Sequence, residues 1–196
     1  MERNKPKQKR AERTVDYLAE AAIQVCDQPE PKFTTNHIAE RAGFAVATLY
    51  RYFPDKNALL RFVVKREANN LSTRVLTIVD TSNAVSGHAL IEQVIAESMT
   101  LFDSRSRPAH NLRVLVQQDK DLAAEVDEIR LRTARRLFER LREIEPDRFC
   151  ETTDAKLRAT AEAFKAATIA LERGNEDRKL DLRAKTALAV ALIESI

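Results

Sequence analysis

The sequence contains no tryptophan, three glycines, six prolines and two cysteines, and aromatic rings make up only 6% of its 196 residues. With so little glycine and proline there are few places to break a helix or close a hairpin, and neither strand alternation nor a hairpin dipeptide is found. Ala, Leu, Glu and Arg dominate instead, a composition that favours long helices over strands. Two cysteines, Cys26 and Cys150, are too few for a disulfide framework. Long apolar runs are missing as well. The longest, Ala187 to Ile193, falls far short of a membrane span, and no apolar core follows the basic N-terminus as it would in a secretory signal. These absences lead us to expect an all-α protein of a reducing, cytoplasmic compartment that does not engage a membrane.

Catalytic signatures are also missing. No glycine-rich loop suited to phosphate, no Ser-His-Asp order and no isolated carboxylate pair stands out, and His88 and His110 lack metal-site spacing with each other or with cysteine. The expectation is therefore a non-enzyme with neither cofactor nor metal.

What is present is unevenly distributed. Residues 1–66 carry 13 Lys and Arg against 8 Asp and Glu, a balance of +5, whereas the remainder carries 20 against 22, a balance of −2. A basic front end is what a polyanion-binding protein presents, although a solvated charged surface looks the same at this size. Residues 1–13, with six basic residues and two acidic ones, read as a flexible basic arm. From Thr14, Val15, Leu18, Ala19, Ala22, Ile23 and Cys26 recur at steps of three and four, the stripe of an amphipathic helix stopped by Pro29 and Pro31. Cys26 lies on that stripe and fits a small buried hydrophobe.

A second helix opens at Thr34, a good N-cap, and ends at Gly43. A third is expected over Val46–Phe53, stopped by Pro54, and Asp55 caps a fourth that runs towards Val79. Further helices are expected over 86–104, 108–118, 121–145, 154–173 and 180–195.

The short third helix concentrates the scarce rings: Tyr50, Tyr52 and Phe53 fall within four residues. At 100° per residue, with Leu49 inward, Phe53 also faces the core. Ala47 and Arg51 then point outward, flanked by Thr48 and Tyr50, with Tyr52 at the boundary. A face of small, hydroxylated and cationic groups suits close approach to DNA, with donors for phosphates and base edges. A helix, a glycine turn and a short second helix form a helix-turn-helix. A tyrosine-bearing packing helix in an ordinary bundle is the plainer alternative.

The block from Phe33 to Leu60 resembles the DNA-binding domain of TetR-family transcriptional regulators. The resemblance rests on Phe33-Thr34, Ile38-Ala39, Ala42-Gly43, Thr48-Leu49-Tyr50, Tyr52-Phe53, Lys56 and Leu59 at the family's spacing, and covers about 45 residues with the first helix included. It implies that Thr34, Tyr50, Tyr52 and Lys56 contact phosphates, and that Val46, Ala47, Thr48 and Arg51 face bases. There are departures. Ala45 stands where the family often has a Ser or Thr cap for the third helix, Ala47 where Gly is common, and Thr35 where Val is usual. His37 replaces a residue that is often acidic.

The implied layout is an arm over 1–13, a DNA-binding domain over 14–56 and a helical effector-binding and dimerisation domain over 57–196. Its partners would be a double-stranded DNA operator, a small organic effector and a second copy of the chain. Candidate pocket residues are His88, Met99, Phe102, His110 and Phe138, with Phe149 nearby; each also fits a plain core or surface role. An alanine stripe over Ala159, Ala163, Ala166 and Ala170, opposite Leu157, Ala161, Phe164, Thr168 and Leu171, could meet a partner helix closely. The last helix, with Leu188, Ala191 and Leu192, is apolar nearly all round and should be buried. Together they suggest a homodimer through the last two helices, as the family resemblance also implies. The competing reading is a helical enzyme or adaptor that keeps the fold without binding DNA.

Overall fold

The computed structural model describes residues 5–26, 34–103, 112, 114, 116–150 and 153–173, and the described residues are helical with no strand. In chain order the helices are α1 Lys5–Cys26, α2 Thr35–Arg41, α3 Val46–Tyr52, α4 Lys56–Thr81, α5 Gly87–Asp103, α6 Lys120–Ile144 and α7 Asp154–Arg173. Among the described residues, no helix is long and apolar enough to cross a membrane.

The first difference from expectation is at the start. The helix expected from Thr14 begins at Lys5, so the basic stretch is helical from that residue on. Lys, Gln, Arg, Ala and Glu are all good helix formers. Thr14 sits inside the helix, and its hydroxyl donates to the Arg10 carbonyl one turn back at 2.9 Å.

The described residues form two compact units, one within Met1–Arg66 and Arg107–Asp119, the other within Glu67–Ser106 and Lys120–Ile196. The first extends past the boundary expected at residue 56. The opening turns of α4 carry Leu59, Leu60, Val63 and Val64, all buried, and Phe62 packs on Phe53 with ring centroids 5.4 Å apart. The rest of this core comes from Leu18, Ala19, Ala22, Ile23, Val25 and Cys26 on α1, Ile38 and Ala39 on α2, and Leu49 on α3. Arg66 on α4 lies 3.8 Å from Asp16 and 3.7 Å from Glu20 of α1, and Arg61 pairs with Asp119.

The second unit is centred on Val75 and Val79 of α4, Leu90, Ile91, Val94 and Ile95 of α5, Ala134, Leu137, Phe138 and Leu141 of α6, and Leu157 of α7. Gly87 permits a close approach in this core. A Cβ there would come within 2.8 Å of the Phe149 ring and 3.2 Å of Leu141. The Gly87 N–H donates to the Glu145 carboxylate at 2.6 Å, so the chain beyond α6 satisfies one of the free donors at the start of α5. At the surface, Arg136 pairs with Asp80 at 2.7 Å, and Glu143 with Arg140 at 2.7 Å. The Arg140 hydrogen bond, aided by the charges of Arg140 and Arg136 and opposed by desolvation, holds the Glu143 carboxyl below the usual carboxylate range.

Candidate nucleic-acid interface

Thr34 is extended (φ −115°, ψ 150°), and its hydroxyl accepts the His37 N–H at 3.2 Å, capping α2 as expected. At the other end Gly43 has φ 75°, the Gly43 N–H donates to the Glu40 carbonyl and the Phe44 N–H to that of Ala39. This is a Schellman closure, which needs a residue free of the left-handed penalty. An added Cβ at Gly43 would meet nothing within 4 Å, so glycine is required there by backbone conformation and not by space.

The turn delivers α3. Its N-cap, Ala45, makes no side-chain cap bond, in keeping with the departure noted in the sequence. Leu49 is fully buried and anchors the helix, while Ala47, Tyr50 and Arg51 are exposed and Val46 and Thr48 half-buried. Phe53 lies one residue beyond the helix expected to include it. It is extended (φ −129°, ψ 119°), because Pro54 disfavours helical backbone in the residue before it. Its side chain is buried nonetheless, and the extended step carries the ring to Phe62. Asp55 then accepts the Ala58 N–H at 2.7 Å and starts α4 with Lys56 exposed in the first turn.

The first unit therefore exposes Thr34, Ala45, Ala47, Tyr50, Arg51 and Lys56, with Val46, Thr48 and Tyr52 half-buried beside them. Two tyrosine hydroxyls there have side-chain partners. Tyr50 Oη is 3.1 Å from Thr35 Oγ1. Tyr52 Oη accepts from Arg51 Nη2 at 2.8 Å, and the Arg51 guanidinium lies over the Tyr52 ring, 4.9 Å from its centroid. Arg51 would have to leave that stack to reach a base, at a cost of about 0.5–1 kcal/mol for an exposed cation–π contact. Sequence periodicity carried no sign of these pairings, because they depend on rotamers and on where α2 meets α3.

The other candidate residues are less well supported. His88 is exposed in the first turn of α5 and lines no interior space. Phe138 is buried in the second unit's core, edge-on to Phe149 with centroids 6.2 Å apart, so its ring fills the core where a pocket lining was expected. The side chains of Met99 and Phe102, and all of His110, lie outside the described residues. On α7, Leu157, Thr160 and Ala161 are buried and Ala159 is exposed, but Ala163 is half-buried and packs against the unit's own core. Thr160, beside Leu157 on the wheel, widens the inward face until Ala163 falls at its edge. Of the alanine stripe, Ala159 thus faces out and Ala163 lies at the margin of the unit's own core. The side chains of Ala166 and Ala170, and residues Leu188, Ala191 and Leu192, lie outside the described residues.

Residues 18–63 match the family model described as bacterial regulatory proteins, tetR family. Over 69 residues the chain is 36% identical to an uncharacterised HTH-type transcriptional regulator of Mycobacterium tuberculosis, a match covering 35% of this chain and 34% of that relative. The chain thus spans about a third of the length of the curated relatives it matches. Among solved structures, it resembles a transcriptional regulator FadR from Bacillus subtilis in complex with stearoyl-CoA, with a TM-score of 0.71 at 21% identity over 92% of this chain and 97% of the other. It also resembles SmeT, the repressor of the Stenotrophomonas maltophilia multidrug efflux pump SmeDEF, with a TM-score of 0.64 at 16% identity over 92% and 88%. At these identities the structural likenesses establish the fold. The helix-turn-helix geometry and the family match coincide on residues 18–63, so this segment carries a tetR-family helix-turn-helix.

Proposed function

We propose that the protein is a dimeric repressor that binds a near-palindromic operator and is released by a small organic effector. The observation that carries the DNA-binding part is the exposed row of Thr34, Tyr50, Arg51 and Lys56 around an α3 anchored by buried Leu49. Thr34, Tyr50, Tyr52 and Lys56 would hold phosphates and fix the register, while Ala45, Val46, Ala47, Thr48 and Arg51 face the major groove. Lys56→Ala should weaken binding on every DNA sequence and reduce the slope of log affinity against log salt by about one unit, since one phosphate contact is lost. Titrations at several salt concentrations measure this. Unchanged affinity throughout would remove Lys56 from the interface.

Dimerisation is proposed from the apolar residues of the C-terminal segment, Leu188, Ala191 and Leu192, with Ala159, Ala163, Ala166 and Ala170 of α7. Two recognition helices must sit about one DNA turn apart, about 34 Å, to read two half-sites. Light scattering should return a dimer at micromolar concentration; a monomer rules the proposal out.

The effector is proposed to be an uncharged or weakly polar organic molecule bound within residues 57–150. The support is the apolar inward face of these helices, Leu90, Ile91, Val94, Leu137 and Leu141 among them; the FadR neighbour, in complex with stearoyl-CoA, adds the alternative of an amphipathic effector with an apolar chain and a charged head. α4, which begins at the DNA-facing Lys56, would transmit its binding. Near-complete release requires the effector to prefer the released conformation by about 5 kcal/mol. A thermal-shift panel of apolar and amphipathic metabolites, long-chain acyl-CoA thioesters included, followed by gel shift with each hit, tests this. Hits that stabilise the protein without changing DNA affinity would refute the switch.

A further inference from the structure

Thr35 departs from the family pattern, and the structure gives it a neighbour. Its Oγ1 lies 3.1 Å from Tyr50 Oη, joining the first residue of α2 to α3. Both side chains are stiff. Thr35 is β-branched, and the Tyr50 hydroxyl sits at the end of a rigid ring. Thr35 is half-buried and Tyr50 is 50% exposed, so a fixed neighbour presents the phenol oxygen to solvent. The adjacent Thr34 hydroxyl oxygen is engaged on the His37 N–H. Arg51, the other side chain bonded to an α3 tyrosine, serves Tyr52.

We infer that Thr35 is a positioning residue that orients the Tyr50 hydroxyl for donation to a DNA phosphate. The inference rests on the operator-binding reading above and adds a residue to it. In a pair of hydroxyls one donates and the other accepts, and either order satisfies the free protein. A phosphate oxygen carries no proton and only accepts. Once it reaches Tyr50, the phenol proton points at it, and the phenol's remaining lone pair faces Thr35. Thr35 then donates into Tyr50 as Tyr50 donates into the phosphate. Two bonds running in one direction polarise each other, and the charged acceptor strengthens the outer one. The usual valine would support the ring equally well but leave the phenol without its inner donor.

The test measures binding by fluorescence anisotropy on a mixed-sequence duplex and on one enriched from a random pool, for wild type, Thr35→Val, Tyr50→Phe and the double variant. Thr35→Val should bind both duplexes about threefold to tenfold more weakly. Its salt slope should be unchanged, because no charge is removed. Its melting temperature should match the wild type, since valine keeps the shape. Thr35→Ser should restore affinity, and the double variant should bind no more weakly than Tyr50→Phe alone. Wild-type affinity in Thr35→Val, additive losses in the double variant, or a weakening that tracks a lowered melting temperature would each overturn the inference. A wild type that binds neither duplex overturns the operator-binding reading itself.

Discussion

Phe138→Ala is expected to remove about 3–5 kcal/mol of stability, the ordinary loss for truncating a buried phenylalanine. The ring is 4% exposed and lies among Val75, Leu90, Val94, Leu137 and Leu141, with Phe149 against its edge. Truncation would leave a void that the helices can close only in part, because Leu90, Ile91, Leu137 and Leu141 are already fully buried. The same substitution decides what the residue does. A ring lining an open effector pocket would lose little on truncation, since its cavity exists beforehand. Denaturant unfolding of the full chain makes the measurement. A loss below about 1 kcal/mol would return Phe138 to the pocket, whereas Phe138→Leu, which keeps most of the volume, should cost less than about 1.5 kcal/mol.

Leu49→Ala should be nearly as costly, at about 2–5 kcal/mol, and should also abolish DNA binding. Leu49 is the one buried residue of the seven-residue α3. A helix so short does not persist on its own, so its attachment to the core supplies its stability. Its N-cap, Ala45, contributes no side-chain bond to compensate. Losing Leu49 therefore frees the element that carries Ala47, Tyr50 and Arg51. Lys56→Ala should instead lower affinity with the melting temperature intact, because Lys56 is exposed. Circular dichroism melts alongside anisotropy separate the two. A Leu49→Ala protein that melts and binds like the wild type would contradict the role of Leu49 as anchor.

Where the physics is local, the amino-acid order alone determined the outcome. Thr34 capping α2, Gly43 in the left-handed region, the uncapped Ala45 and Asp55 starting α4 each depend on a few adjacent residues, and each was legible in the sequence. With Leu49 taken as inward, the 100° wheel placed Ala47 and Arg51 outward for the same reason. The absence of an apolar stripe before Thr14 misled about the helix start, because the helix-forming residues from Lys5 onward extend it without one, and Thr14 sits mid-helix bonded back to Arg10. Local propensity also placed Phe53 on the wrong side of the helix end, although burial put the ring in the core by another route. Tertiary packing alone decided the rest. Phe138 as core, Ala163 turned towards its own unit and the opening turns of α4 bound into the first unit all depend on which helix lies opposite, and periodicity names a face without naming its partner. The contact between Thr35 and Tyr50 belongs to the same class. It joins residues 15 apart that no repeat connects, and it exists because the Gly43 turn brings α3 back against the start of α2.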